Sequence, residues 1–188
     1  RVVLPGFIEP HMHFALMAGF GFVKDIGPFR YPTFDDALEA LRRIAATAGP
    51  GEWVLGRQFD PILLDPPRDL TTRDLDPIAP DRPAFVLNAS GHIAYANSKA
   101  LERVGITRDS EDPPGGVIRR GSDGEPNGVL EENAFFAVLI ALLGDLGEDG
   151  FKAFARAGAQ LWASFGYTTA QEGRAMPATV STMKSVAA

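Results

Sequence analysis

Residues 4–13 read "LPGFIEPHMH", and this stretch holds two of the three histidines in a chain of 188 residues, His11 and His13. The runs "RVVL" and "GFI" around Pro5-Gly6 read as a buried strand with an interruption. Side chains two residues apart on a strand point to one face. His11 and His13 would therefore present their imidazoles side by side. That spacing can chelate one divalent ion, and zinc, nickel, manganese and iron all accept imidazole nitrogen. The competing reading is a pair of merely hydrogen-bonded loop histidines.

A loop rich in glycine and aromatic residues runs from Phe14 to about Tyr31. "TFDDALEALRRIAATAG" predicts a helix capped by Thr33, with Asp35 and Asp36 at its positive end and Gly49 at its exit. "EWVLGRQFD" and "PAFVLNAS" predict strands, and the proline- and aspartate-rich segment between them predicts loop. "NSKALERVGI" reads as a short helix capped by Asn97 or Ser98. "DPPGGVIRRGSDGEPNGVLEE" reads as a hairpin turning at Asp123-Gly124. Two helices, the strand "YTTAQEG" and a last helix opening at Pro177 follow. The pattern predicts an α/β chain with βα units of a parallel sheet at both ends and an inserted α+β block between them. The expected divisions are 1–49, 50–130 and 131–188.

Composition narrows the function classes. The net charge of -6 and the lack of a basic cluster argue against nucleic acid or an anionic membrane as partner. The longest apolar run, Ala134 to Leu143, is too short to cross a bilayer. With no cysteine there is neither a disulfide framework nor a thiolate zinc site, and a cytoplasmic setting fits. The opening without Met, already inside a strand, reads as an excerpt of a longer protein.

The motif and its neighbours resemble a known family. "LPGFIEPHMH" looks like the "PGFID-x-H-x-H" signature of the amidohydrolase superfamily, with Glu9 where Asp is usual. "WVLGRQFD", "SGHIAYANSKALERVGI", "DPPGGVIRRGSDGEPNGVLEENA" and "FGYTTAQEG" resemble, in order, segments of YtcJ-like amidohydrolases, the group that includes N-substituted formamide deformylase. The resemblance implies the first βα units of a (β/α)8 barrel of the TIM type, incomplete in this chain, with a lid domain inserted at residues 50–130. It implies a metal-dependent hydrolase of amide-like or N-formyl C–N bonds, in which a metal-activated water attacks the carbonyl of a small-molecule substrate. His11 and His13 would be ligands of a divalent metal, zinc first among those that suit imidazole. The family's remaining ligands come from later strands, so the 188 residues alone are expected to be inactive. Expressed alone, they are expected to bury their exposed edges by self-association or to leave their ends disordered, and a homo-oligomer is compatible with the sequence. The alternative is a non-catalytic α+β domain serving folding, oligomer contact or substrate gating.

His92, in "SGHIAY", would face substrate and polarise the scissile carbonyl or hold a leaving group, unless it is a buried histidine in a strand-to-loop corner. Glu132 would contact substrate or metal, or else favour a helix start; Glu131 reads as its solvated neighbour. Asp60 would line the pocket or orient a loop. Gln171 and Glu172 would end the second barrel strand on the catalytic face, near enough to support a ligand. The arginine pairs 42–43 and 119–120 read as solvated faces.

Overall fold

A computed structural model describes residues 3–13, 23–49, 51–173, 175 and 177–187. Most of the expected loop, residues 14–22, lies outside them. The chain divides into two compact units, Lys24–Gly144 and a second made of Arg1–Val23 with Asp145–Ala188.

Lys24–Gly144 is built on a six-stranded sheet. Its strands are β2 (Lys24–Asp25), β3 (Val54–Phe59), β4 (Ala84–Asn88), β5 (Ile93–Ala96), β6 (Gly116–Arg120) and β7 (Pro126–Glu132), in the spatial order β2-β3-β4-β5-β7-β6. β2, β3 and β4 run parallel, and β5, β7 and β6 continue antiparallel. Helix α1 (Phe34–Thr47) links β2 to β3, and the short α2 (Thr72–Leu75) precedes β4. Thr33 caps α1 in a full capping box: its side chain accepts from the Asp36 N–H, and Asp36 reaches back to the Thr33 N–H. The helix ends on an extended Ala48 rather than at Gly49.

Alternation along the strands sends side chains to two apolar layers. On one face Phe34, Leu38 and Leu41 of α1 pack with Val54, Val86, Tyr95 and Val129. On the other Phe85, Ala94 and Leu130 pack with Leu101 of α3 (Ser98–Arg103) and with Phe135 and Val138 at the start of α4 (Asn133–Ser164). Covering both faces keeps the parallel strands dry, and each fully buried large side chain contributes about 1.5–3 kcal/mol. Helix α1, expected with the first βα unit, thus belongs to the Lys24–Gly144 unit, which also extends past residue 130 into α4. The physical reason is its apolar face, which is buried on β3. Strand β5 was not foreseen; its four residues, Ile-Ala-Tyr-Ala, are too short to show a period.

At Gly128 the backbone has φ 93°, and a Cβ would stand 2.3 Å from the Ala96 carbonyl oxygen. Gly128→Ala must strain β7 or push it off its neighbour. We expect a loss of about 3 kcal/mol or more, read as a lower midpoint in urea unfolding; an unchanged midpoint would refute this packing.

The second unit contains β1 (Phe7–Glu9) paired in parallel with β8 (Tyr167–Ala170), the α4 segment from Asp145 onward, and α5 (Pro177–Ala187). Helix α4 is interrupted at Gly147, with φ 63° and ψ -175°, where the sequence suggests two helices. The chain is α/β, and the two-stranded sheet is not closed.

Candidate functional site

Strand β1 is shorter than its apolar run suggests, because residues 3–6 are not strand. Pro5 has no N–H to give a ladder, and Gly6 lies where a Cβ would meet Thr168 Cγ2 and Oγ1 at 2.2 Å. The glycine of "LPGFI" therefore permits the close approach of β1 and β8. Edge-to-face contacts of Tyr167 with Phe7 and with Trp162, at 5.9 and 5.5 Å between ring centres, anchor the pair.

The His-x-His lies just past β1, not within it. The Gly173 N–H donates to the Met12 carbonyl at 2.7 Å, and His13 forms an isolated antiparallel bridge with Glu172. Alternation resumes there: Met12 is buried, His11 exposed and His13 half-buried. The His11 and His13 ring centres are 6.0 Å apart. Zinc–nitrogen bonds of about 2.1 Å with tetrahedral angles put two ring centres about 5 Å apart, so a shared ion calls for the rings to close by about 1 Å. Glu9 accepts from the His11 N–H at 3.2 Å, which holds the turn between strand and motif. His13 Nδ1 is buried, and among the described residues it has no hydrogen-bond partner. These features fit an imidazole pair that binds an ion through its outward nitrogens. Among the described residues no group of three or more His, Cys, Asp or Glu that could hold a metal ion comes together.

The Lys24–Gly144 unit gathers a separate polar cluster at one end of its sheet. The C-termini of β3, β4 and β7 and the N-terminus of β5 share that end, as the parallel and antiparallel pairings require. They bring Asp60, Asn88, Ser90, His92 and Glu132 to one rim. His92 Nδ1 lies 3.0 Å from Glu132 Oε2, and the Glu132 N–H donates to the His92 carbonyl at 2.8 Å. In a neutral ring a carboxylate partner favours the Nδ1–H tautomer, whose Nε2 is an acceptor. Glu132 holds a left-handed backbone, φ 50°, a conformation that carries strain for a glutamate. Both side chains are exposed, at 68% and 56%, so His92 is not the buried corner histidine of the bland reading.

Asp60 both lines a cleft and orders a loop. Its carboxylate accepts from the Ile62 N–H at 3.1 Å and caps the 3-10 turn Pro61–Leu63. The cleft, about 440 Å³, is bounded by Asp60, Ile62, Asp69, Asn88, Ser90 and Arg119, among others. Behind it the buried Tyr95 hydroxyl donates to Asp69 at 3.0 Å and accepts from Asn88 at 3.1 Å. Burial drives the Tyr95 phenol well above its ordinary range; the Asn88 hydrogen bond opposes this and the Asp69 charge adds to it. It stays a neutral donor at physiological pH.

Arg119 bonds Asp69 at 3.0 Å and also Glu131, while Arg120 reaches the carbonyls of Thr107, Gly124 and Ser110. The second arginine pair is thus hydrogen bonded as well as solvated, with Arg119 exposed and Arg120 half-buried, and Glu131 is paired with Arg119. Sequence reading missed Asp69, Tyr95 and Arg119 because their partners lie far apart in the chain. Gln171 is exposed and Glu172 half-buried at the end of β8.

The amidohydrolase family model matches residues 1–188. The chain belongs to the amidohydrolase family. It is 37% identical over 134 residues to N-substituted formamide deformylase of Arthrobacter pascens, covering 71% of this chain and 25% of that protein. It is 32% identical to YtcJ of Bacillus subtilis (strain 168), which bears the name of an amidohydrolase, over 75% of this chain and 26% of that one. The family member described here thus spans about a quarter of these curated relatives. Its fold resembles the crystal structure of an uncharacterized metal-dependent hydrolase from Pyrococcus horikoshii, with a TM-score of 0.61 at 18% identity, over 88% of this chain and 30% of that one. A second such hydrolase, from Pyrococcus furiosus, matches with a TM-score of 0.59 at 20% identity, over 88% and 31%. Among the described residues no helix is long and apolar enough to cross a membrane.

Proposed function

We propose that this chain is the part of a metal-dependent amidohydrolase that supplies two ligands of its metal centre and a lid-domain histidine, and that the whole protein cleaves amide-like or N-formyl C–N bonds. The observation that carries the reading is the His11–His13 pair, with ring centres 6.0 Å apart at the end of β1. The named relatives support the reaction class. Ile8, 69% exposed on a parallel strand pair, supports a (β/α)8 arrangement in which further strands of the parent chain cover this sheet.

His11 and His13 would hold a divalent ion, zinc by preference, through imidazole nitrogen. When bound, such an ion polarises a carbonyl and acidifies water. The chain's own contribution is orientation. Met12, buried between the two histidines, fixes their common direction. Glu132 favours the Nδ1–H tautomer of a neutral His92, whose Nε2 can accept a hydrogen bond from the amide or amine of a bound substrate. Asp60 and the Tyr95–Asp69–Arg119 network would shape the wall that receives the rest of a small substrate.

The test is release of amine from N-formyl and simple amide compounds by the full-length protein. Activity should vanish after chelation, return with zinc, and fall by about 100-fold or more in His92→Ala if the imidazole handles a proton. Full activity in metal-stripped protein would refute the reading, and full activity in His92→Ala would refute the histidine's role.

A further inference from the structure

We infer that Glu172 is a positioning residue for His13, accepting the Nδ1 proton so that Nε2 is turned to the metal; this rests on the reading of His11 and His13 as ligands. The two residues come from distant parts of the chain. They are joined by the isolated bridge His13–Glu172 and by the Gly173 N–H to Met12 carbonyl bond of 2.7 Å. The Glu172 side chain is only 8% exposed, while that of His13 is 40% exposed. A carboxylate so buried beside an open imidazole has a cost in lost hydration.

His13 Nδ1 has no contact with solvent, so an ion from outside must approach Nε2. The remaining ring nitrogen then carries the proton. Nδ1 and Glu172 Oε1 are 3.6 Å apart, too long for a hydrogen bond but closed by a small ring rotation. A Cβ on Gly173 would stand 3.0 Å from the Met12 carbonyl oxygen, so glycine favours the close approach that carries the bridge. Ligation at Nε2 makes Nδ1–H a stronger donor, and the carboxylate in turn makes the ring a better ligand. Carboxylate–histidine–zinc arrangements work in this way.

The experiment measures zinc affinity of the full-length protein by chelator competition, for wild type, Glu172→Gln, Glu172→Asp and the pair His11→Ala/His13→Ala. Glu172→Gln should weaken zinc binding by about 10- to 100-fold, and Glu172→Asp, which keeps the charge, should bind more tightly than Glu172→Gln. X-ray absorption should still show imidazole coordination in Glu172→Gln. Wild-type affinity in Glu172→Gln, with zinc lost from the His11/His13 variant, would overturn this inference alone. So would equal affinity in Glu172→Asp and Glu172→Gln, the result expected if Glu172 serves only to pack its strand end. Undiminished zinc in the His11/His13 variant would instead overturn the ligand reading beneath it.

Discussion

Changing His11 and His13 together to alanine in the full-length protein should remove most of its bound metal and lower hydrolysis by about 1,000-fold or more, the several kcal/mol that metal polarisation contributes. The size follows from position. The histidines share one side of a buried Met12, and their rings need to close by about 1 Å to share one ion. Groups that act as a unit are not additive. His11→Ala or His13→Ala alone should therefore forfeit much of what the double change forfeits. The check is metal per protein by plasma mass spectrometry, alongside turnover. The fold should tolerate the change, because His11 is exposed and His13 half-buried, so the metal-free forms should unfold at similar urea concentrations. Normal metal content in the double variant would discard both residues as ligands.

The pairing of His11 and His13 was legible because the code there is local. A two-residue spacing at a strand end fixes which way two side chains face, and "LPGFIEPHMH" carries spacing and strand together. Even so, the strand stops at Glu9, and beyond it the motif is held by a bridge of His13 to Glu172 on distant chain. The capping residue Thr33 and the Asp123-Gly124 turn were legible for the same reason, since their partners lie within a few residues. The cleft in the Lys24–Gly144 unit was not. Arg119 and Asp69 are fifty positions apart, and Tyr95 and Asp69 twenty-six, so no window of sequence joins them. Likewise α1 has a clear apolar face, but only tertiary packing decides that the face closes on β3.

Asn97 provides the largest expected effect on stability. Its position ahead of "SKALER" marks it as a helix cap, and it is one: Oδ1 accepts from the Ala100 N–H at 2.9 Å. The same oxygen also accepts from the Ala84 N–H at 2.8 Å, at the start of β4. Its Nδ2 donates to the Ala79 and Arg82 carbonyls at 2.8 and 2.9 Å. The side chain is wholly buried and ties α3, β4 and the preceding loop together. Asn97→Leu strands two N–H groups and two carbonyls away from water. Each stranded group costs about 1–3 kcal/mol, and after local relaxation the total should be about 3–5 kcal/mol. Asn97→Asp separates the two roles. Aspartate caps a helix as well as asparagine does, so a residue that only capped would tolerate it. Here the exchange removes both donors and sets a carboxylate oxygen against two buried carbonyls, so we expect a loss as severe as that of Asn97→Leu. Urea unfolding of the two variants decides it: a near-normal midpoint for Asn97→Asp would reduce Asn97 to a cap, and matching losses would make it a joint of the sheet.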